Sequence, residues 1–337
     1  MFEIKLNKKF IEYKVSKEYK PSILYETEII FIPKLFNRIV CLAFTKNKKI
    51  IKNWLVNNLI GKWASNKSLS LKIFKYDIFL KKNLCIFFSY FFKSKKIYLK
   101  SNDVVLFGPW PHVYYHQVID FVLRLILLKN YNFDAIYVPE NLKDILLDKP
   151  YKKIFKNLKI VYYSLNKKII FYNVKYLTHI QQYNKNYYLS STILNLNKAI
   201  HDNYFFKNKN KTKYILVSRK SSSRKLLNED ELYEKIKKYG FQRFCFEELS
   251  SLDQIEISFN SQIMIGYHGS GLTNLIFMKP NSYVIEIVNE HFQNPCMKLL
   301  CMNKKINYIK SLCEISNKDL GGVCNIDLLD KKIKSLI

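Results

Sequence analysis

The chain has 337 residues, about twice the length of a typical domain, and this length predicts two packed domains. Hydrophobic residues make up 48% and aromatic residues 15% of the sequence, which excludes an intrinsically disordered protein. The formal net charge is +29, but only five of the 56 basic residues are arginines, and the lysines are spread along the whole chain. Because proteins that read nucleic-acid bases favour the bidentate arginine side chain, this composition argues against nucleic acid as a partner. It favours a loose electrostatic attraction to anionic lipid headgroups.

The cysteines and the apolar runs give an expectation about the compartment. Seven cysteines without a Cys-x-x-Cys pair predict neither a disulfide framework nor a zinc site: Cys41, Cys85, Cys245, Cys296, Cys301, Cys313 and Cys324. The first 30 residues contain no apolar run of signal-peptide length. The longest apolar stretches, such as 85–92 and 121–128, are far shorter than the roughly 20 residues that span a bilayer. We therefore expect a cytoplasmic protein, with any membrane contact peripheral and at the inner face.

The first half of the chain becomes readable only after residue 100. Residues 1–100 are β-prone but weakly periodic, so their elements are not assigned. From there the pattern predicts a strand at 103–107, a GPWP turn, and a helix with a regular apolar stripe at 112–130. A second strand at 134–140, a second helix at 142–155 and a third strand at 159–164 follow. Alternating strands and helices predict a parallel sheet and an α/β fold.

The second half begins after a helical stretch at 190–206 and the polar linker KNKNKTK. Strands and helices then alternate again through residue 288, which is typical of a Rossmann-like domain. In the helix that begins near Glu229, Asn228 and Glu231 match a capping box and Gly240 suits the position after the last turn. The predicted organisation is a first domain at 1–205, a second at 206–310, and a tail at 311–337 that packs back on the first.

The segment QIMIGYHGSGLTNLIFM is the strongest local feature. A buried-type strand runs into a Gly-Ser-Gly turn that opens a helix, and free N–H groups at such a helix start favour a phosphate. The alternative is a tight turn that binds nothing. The segment lacks the glycine spacing of dinucleotide-binding proteins and the Lys-Ser/Thr pair of a P-loop.

Three further groups of residues have the chemistry of a site. Arg219 and Arg224 follow a strand and suit a diphosphate, although both could be solvated surface residues. His116, Asp120 and Arg124 recur every four residues and form either a proton-accepting pair or the solvent side of a helix. Glu286 lies inside a buried-type strand, where it would accept a hydrogen bond from a ribose hydroxyl or simply face outward.

Four of these segments, in this order, resemble glycosyltransferase family 61: VYYHQVIDFVLRL, VSRKSSSRKLLNEDEL, GFQRFCFEELSSLDQI and IGYHGSGLTNLIFMKPNSYVIEI. The resemblance covers about residues 105–310 and implies a GT-B-like architecture of two Rossmann-like domains facing across a cleft. It also implies inverting transfer of a sugar from a nucleotide sugar to a glycan or lipid-linked glycan acceptor. Bacterial relatives of this kind commonly act in capsule or surface-polysaccharide synthesis.

Carried over residue by residue, the resemblance matches Arg219 and Arg224 to the family's arginines and Asn228 and Glu229 to its Asn-Glu pair. His268, Gly269, Gly271, Leu272 and Asn274 match its His-Gly signature, in which Ser270 replaces a common alanine. We expect Asp120 or His116 to act as the base. We expect Arg219, Arg224, His268, Glu286 and the stretch Gly269, Ser270, Gly271, Leu272, Thr273 and Asn274 to bind the nucleotide sugar, without a metal. A non-catalytic binding protein and a nucleic-acid-binding protein remain the rival interpretations.

Overall fold

The described part of the chain divides into two units. The computed structural model describes residues 27–35, 38–44, 95–100, 102–106, 110–164, 169–176, 187–204, 206, 213–220, 225–289, 294–315 and 321–337. Unit 1 comprises residues 1–146 and 155–180, and unit 2 comprises residues 147–154 and 181–337. No helix within the described ranges is long and apolar enough to cross a membrane.

Unit 1 is built on one mixed sheet of seven strands. These are β1 (Thr27–Leu35), β2 (Arg38–Phe44), β3 (Lys95–Tyr98), β4 (Asp103–Val105), β5 (Ala135–Pro139), β6 (Ile160–Tyr163) and β7 (Ile169–Tyr176). The order is β2-β1-β7-β4-β5-β6, and β3 also pairs with β7. Strand β1 is antiparallel to its neighbours, whereas β4, β5, β6 and β7 run parallel, as expected where helices connect the strands.

The first helix of unit 1, α1, changes its winding along its length. It begins as an α-helix over Tyr114–His116, continues as a π-helix over Gln117–Val122, and ends as an α-helix over Leu123–Leu128. Its apolar residues are almost all fully buried, which explains the clear stripe in the sequence. A short 3₁₀ turn, Glu140–Leu142, leads into α2 (Lys143–Leu147).

Unit 2 contains a six-stranded sheet. Its strands are β8 (Tyr214–Val217), β9 (Phe241–Phe244), β10 (Ile263–Tyr267), β11 (Tyr283–Asn289), β12 (Asn307–Ile315) and β13 (Gly322–Cys324), in the order β13-β12-β11-β10-β8-β9. Only β13 is antiparallel to its neighbour. The five parallel strands have the doubly wound order 2-1-3-4-5, in which ligands bind at the carboxyl ends where the strand order reverses. Here that reversal lies between β8 and β10.

The helices of unit 2 are α3 (Lys149–Ile154), α4 (Tyr187–His201), α5 (Glu229–Ile236), α6 (Ser251–Asn260), α7 (Cys296–Lys304) and α8 (Ile326–Lys334). Short 3₁₀ helices lie at Lys237–Tyr239, Phe246–Glu248 and Ser270–Phe277. Leu232, Ile236, Leu329 and Ile333 from α5 and α8 share one apolar core with residues of the sheet. This burial is the main force that holds these helices in place.

The structure confirms the mixed α/β class and differs from the sequence expectations in several details. The capping box is wrong, because the Asn228 side chain bonds to the backbone of Cys324 and makes no cap bond in α5. Gly240 does follow the last turn in a left-handed conformation, with φ of 89°. The segment after the Gly-Ser-Gly turn is a 3₁₀ helix. Residues 311–337 supply β13, α8 and most of β12 to unit 2, because Leu329 and Ile333 are buried there.

Candidate functional site

Two side chains flank the point in unit 2 where the strand order reverses. Arg219 follows β8, and His268 follows the neighbouring strand β10. Arg219 is partly buried, and His268 is buried with 8% of its surface exposed. Because parallel strands end at one edge of the sheet, the two residues lie side by side where doubly wound domains bind their ligands.

Arg219 is held directly against the Gly-Ser-Gly turn. Its guanidinium Nη1 donates a hydrogen bond to the carbonyl oxygen of His268. A Cβ atom at Gly269 would overlap Nη1 and lie 2.8 Å from Nε of Arg219, so any other residue there would push the guanidinium out of this position. The glycine therefore lets the turn pack closely against the guanidinium of Arg219. Its backbone is extended, so its conformation does not itself call for a glycine.

Glu229, at the start of α5, holds the loop that contains Arg219 through hydrogen bonds. Glu229 is buried, and its carboxylate accepts hydrogen bonds from the Ser218 hydroxyl and, at 3.2 Å, from the backbone N–H of Arg219. A carboxylate in the first turn of a helix is also favoured by the helix dipole. Glu229 thus sets the direction in which the chain leaves β8 and positions the arginine.

His268 is the first of three connected polar side chains. Its Nδ1 atom is hydrogen-bonded to Oε1 of Glu286, which lies on β11, and Oε2 of Glu286 accepts a 2.6 Å hydrogen bond from the Tyr308 hydroxyl on β12. Glu286 is 1% exposed. Burial, followed by the hydrogen bond to Glu286, raises the pKa of Tyr308 above its ordinary value. The sequence predicts that Glu286 contacts a ribose. In the structure, both of its carboxylate oxygens are hydrogen-bonded to protein side chains, those of His268 and Tyr308.

The stretch 270–274 is only partly at the surface. Ser270 and Gly271 are partly exposed, whereas Leu272, Thr273 and Asn274 are buried. The Asn274 amide donates to Oε1 of Gln254 on α6 and to the carbonyl oxygen of Gly271. The sequence predicts that all five residues contact the ligand. In the structure, Leu272, Thr273 and Asn274 are buried inside unit 2, where they support the turn.

Unit 1 contains a second pair of a histidine and a carboxylate. His116 Nδ1 and Asp120 Oδ2 are 2.6 Å apart on α1. Asp120 is 4% and Arg124 is 1% exposed, and Arg124 Nε donates to the backbone carbonyl of Asp120. The polar stripe is therefore not the solvent side of the helix. A buried carboxylate that orients an imidazole is an arrangement suited to proton transfer.

The backbone around this pair is unusual in two respects. His116 directly precedes the π-helical turn Gln117–Val122 and Asp120 lies within it, and such turns occur frequently at functional sites. Trp110 has a positive φ of 45°, which is costly for a bulky residue, and its ring centroid lies 5.0 Å from that of His116. The indole therefore limits the orientation of the imidazole.

Several residues beside the candidate site were not predicted, and one predicted residue falls outside the part of the chain that the structure describes. Arg224 lies outside the described residues. Tyr308 and Trp110 were not predicted, because neither belongs to a charged or glycine-rich motif. Glu229 was matched to the family pattern but had no assigned role, although an acid at a helix start is a usable signal. Within the described residues, no three His, Cys, Asp or Glu side chains are grouped so as to hold a metal ion.

Comparisons with known proteins connect these two sites to one family. The family model described as Glycosyltransferase 61 matches residues 114–285. This range includes the His116 and Asp120 pair as well as Arg219, His268 and the glycine turn, and it ends one residue before Glu286.

Curated relatives match a shorter segment. The EGF domain-specific O-linked N-acetylglucosamine transferase of Drosophila melanogaster is 36% identical over 101 residues, which is 29% of this chain and 19% of the relative. The proteins of the same name from Mus musculus and Gallus gallus are 34% and 32% identical over 104 residues, covering 29% of this chain and 20% and 19% of the relatives. The match thus spans about a fifth of these relatives' length. Since the family model covers more than half of the sequence, the chain belongs to the glycosyltransferase 61 family.

Proposed function

We propose that this protein is an inverting glycosyltransferase that moves a sugar from a nucleotide sugar to a hydroxyl group of an acceptor. The observation that supports it best is the placement of Arg219 and His268 at the strand-order reversal of unit 2, in a family of sugar transferases. A guanidinium and an imidazole beside a glycine turn are suited to a diphosphate. Fixed positive groups of this kind stabilise the charge that develops on a leaving diphosphate.

The proposed chemistry is a single displacement. The acceptor oxygen attacks the anomeric carbon opposite the nucleotide, the bond between that carbon and the diphosphate oxygen breaks, and the hydroxyl proton passes to the pair of His116 and Asp120. Either Asp120 takes the proton while His116 orients it, or the roles are reversed. Their 2.6 Å contact supports both assignments. The configuration at the anomeric carbon is inverted because attack and departure occur on opposite faces.

We propose that Arg219 and His268 neutralise the diphosphate without a divalent metal, and that the two units form a GT-B-like pair of Rossmann-like domains. The acceptor would be a glycan or lipid-linked glycan of a capsule or other surface polysaccharide. The matched relatives are named for transfer to EGF domains, so a hydroxyl on a protein is the acceptor to test beside it. Peripheral contact with an anionic membrane would suit a lipid-linked acceptor.

A thermal-shift screen tests the nucleotide site. The purified chain is heated with UDP, GDP, CDP and the corresponding nucleotide sugars, each with and without EDTA. A ligand that binds only the folded state raises the midpoint, and saturation at 100 times Kd stabilises by about 2.7 kcal/mol. We expect one nucleotide to raise the midpoint by several degrees and EDTA to leave this shift unchanged.

Two arginine variants make the screen specific for the site. Arg219→Ala should weaken binding of that nucleotide about 10- to 100-fold, because a hydrogen bond between charged groups contributes about 1.5–3 kcal/mol. Arg243→Ala is the matched control, since Arg243 lies in the same unit but pairs with Asp230 and stacks on Tyr233. Equal binding by both variants would remove Arg219 from the site. Binding by the unaltered chain without sugar transfer or donor hydrolysis would favour a non-catalytic binding protein.

A further inference from the structure

Asn289 is the last residue of β11, so its side chain lies at the carboxyl edge of the sheet in unit 2. The residue is buried, with 6% of its surface exposed, and its Oδ1 atom has no hydrogen-bond partner among the residues that the structure describes. An oxygen that has lost its water without gaining a donor destabilises a folded protein. Such atoms are few in native structures, and a ligand that supplies the donor is one reason to keep them.

The polar neighbours of Asn289 on the same face of the sheet are engaged with each other. Cys313 of β12 lies opposite Asn289 in the parallel register. Tyr267 of β10 shares this face because it pairs with Ile287, two residues before Asn289. The Tyr267 hydroxyl is hydrogen-bonded to the Cys313 thiol, and burial raises the pKa of this thiol to about 11, so it stays neutral. Neither neighbour places a charge or a strong donor at the amide oxygen.

Asn289 lies beside the glycine turn. Strands β10 and β11 pair up to Tyr267 and Ile287, and the N–H of His268 donates to the carbonyl oxygen of Ile287 at 2.8 Å. Gly269 continues the chain with an extended backbone, at φ of 173° and ψ of 174°. Extending the register by two residues therefore places Asn289 level with Gly269, whose turn is the proposed position of the diphosphate.

The location of Asn289 differs from that of other buried oxygens of this kind. The hydroxyls of Ser258 and Thr273 also have no hydrogen-bond partner among the described residues. Both residues are fully buried, Ser258 on α6 and Thr273 within the 3₁₀ helix, so protein encloses their hydroxyls. Asn289 instead ends a central strand, at the edge where doubly wound domains bind their ligands.

The chemistry of the amide oxygen indicates which part of a nucleotide sugar it meets. A carbonyl oxygen only accepts, so the ligand must offer an O–H or N–H group. The ionised diphosphate has no such group, whereas the nucleoside and the sugar on its two sides both have them. The anomeric carbon must stay open to the acceptor hydroxyl, so the sugar has to face solvent. The nucleoside is therefore the part that a buried residue can enclose.

We propose that Asn289 is a specificity-determining residue for the donor, and that its amide oxygen accepts a hydrogen bond from an O–H or N–H group of the nucleoside. The proposal rests on the proposed function, because it takes the diphosphate to lie at the glycine turn. The oxygen is already dehydrated in the free protein, so a bound nucleoside displaces no further water from it. A nucleotide without the donor leaves the oxygen unpartnered and is rejected.

Isothermal titration calorimetry with the full chain tests this contact. UDP, GDP and CDP are each titrated, and inorganic pyrophosphate is the probe that lacks a nucleoside. Asn289→Ala should bind the tightest of the three nucleotides about 10-fold more weakly and should bind pyrophosphate as the unaltered chain does. Asn307→Ala is the matched control, since Asn307 begins β12 at the opposite edge of the sheet and its amide donates to the carbonyl oxygen of Asn281. It should leave all affinities unchanged.

The thermal midpoint without ligand separates recognition from a structural role. Asn289→Ala removes an oxygen that makes no hydrogen bond with the described residues, so the midpoint should stay within about two degrees of that of the unaltered chain. A midpoint lower by about five degrees or more would show that the amide supports the fold, and it would overturn the assignment.

Nucleotide analogues make the test independent of how a variant folds. Each analogue of the tightest nucleotide lacks one donor of the nucleoside: the 2′-hydroxyl, the 3′-hydroxyl, or the N–H of the base, which is methylated. In the unaltered chain one analogue should bind about 10-fold more weakly, and Asn289→Ala should not distinguish it from the parent nucleotide. A loss with a deoxy analogue assigns the donor to the ribose, and a loss with the methylated analogue assigns it to the base.

Each remaining outcome has a defined meaning. Equal nucleotide affinity of Asn289→Ala and the unaltered chain would overturn the proposal and leave the nucleotide site intact. Weaker binding of pyrophosphate, or of the nucleotide sugar alone, would also overturn it, because the contact would then be with the diphosphate or the sugar. If no nucleotide and no pyrophosphate binds the folded chain, the nucleotide site of the proposed function fails, which is distinct from binding that does not depend on Asn289.

Discussion

Asp120 is the residue on which the proposed proton transfer depends. The change Asp120→Asn keeps the shape of the side chain and an oxygen that can accept from His116, but it removes the carboxylate. We expect kcat to fall about 10²- to 10⁴-fold, the usual contribution of general acid–base catalysis, while the affinity for the nucleotide sugar stays within a factor of about two. Steady-state kinetics with the donor identified by the thermal screen measures both quantities.

The control for this variant is Asp144→Asn, which removes an exposed carboxylate from α2 in the same unit. Its turnover should be unchanged. Near-normal turnover by Asp120→Asn would rule out the carboxylate as the base, and His116→Gln would then become the decisive variant.

At the residue scale, the sequence predicts groups that stand in local motifs and misses groups that join them from a distance. His116 and Asp120 are four residues apart, so their pairing is expected from helical spacing alone. Tyr308 is 22 residues from Glu286, and their contact depends on the register of β11 and β12, which no local pattern specifies. The sequence predicts contact between Glu286 and a ribose, whereas in the structure its two carboxylate oxygens bond to His268 and Tyr308.

At the scale of single elements, helix α7 ends on an unfavourable buried charge. Lys304 is the last residue of α7 and is 7% exposed, and burial lowers its pKa to about 8. The helix dipole favours a cation at this end, but the loss of hydration is the larger effect. The unfolded chain holds this proton up to its ordinary value of 10.5, so the free energy of unfolding rises with pH between about 8 and 10.5.

Replacing this lysine should therefore stabilise the protein. We expect Lys304→Met to raise the free energy of unfolding by about 2 kcal/mol at neutral pH, with the gain shrinking as pH rises from about 8 to about 10.5. Denaturant unfolding at a series of pH values measures it. Lys298→Met, on an exposed position of the same helix, should change stability by less than about 0.5 kcal/mol. A loss of stability in Lys304→Met at neutral pH would contradict the assigned cost of burial.

Elements with strong apolar patterns were predictable and their ends were not. The alternation of strands and helices that the sequence predicts after the linker is present from β8 to β11, because the burial pattern of these strands matches their period. The capping box failed because a distant partner, the backbone of Cys324, competes for the Asn228 side chain. The 3₁₀ winding after Gly269 reflects the tight packing of Leu272, Thr273 and Asn274, which depends on tertiary contacts.

At the scale of the whole molecule, the net charge of +29 predicts a measurable attraction to anionic surfaces. We expect the chain to co-sediment with vesicles that contain phosphatidylglycerol at about 50 mM salt and to dissociate at about 0.5 M, because added salt shortens the screening length. Vesicles of phosphatidylcholine alone should not bind it. Retention at high salt, or equal binding to both vesicles, would show that lysine charge is not the cause.

A tight, steeply salt-dependent complex with DNA or RNA would support the nucleic-acid rival.

The contacts divide the chain at positions that composition alone does not mark. Length and two runs of alternating elements predict two domains near a boundary at residue 206. The contacts instead group α4 and the short helix α3 with unit 2, although both precede that boundary. Ser190 and Asn197 of α4 bond to the carbonyl oxygens of Asn303 and Ile276, and a linker composition cannot reveal such partners.

The π-helical turn of α1 makes the length of this segment as important as its composition. In this turn the Leu123 N–H bonds to the carbonyl oxygen of Val118, five residues back, so the turn holds one residue more than an α-helical turn. Loss of one residue inside the turn would let it close as an α-helical turn and leave Leu123–Leu128 facing as before, whereas loss of one residue from Leu123–Leu128 would rotate every later position by about 100°. Surface loops tolerate insertions and deletions, whereas in this helix the effect of a one-residue change in length depends on where it falls.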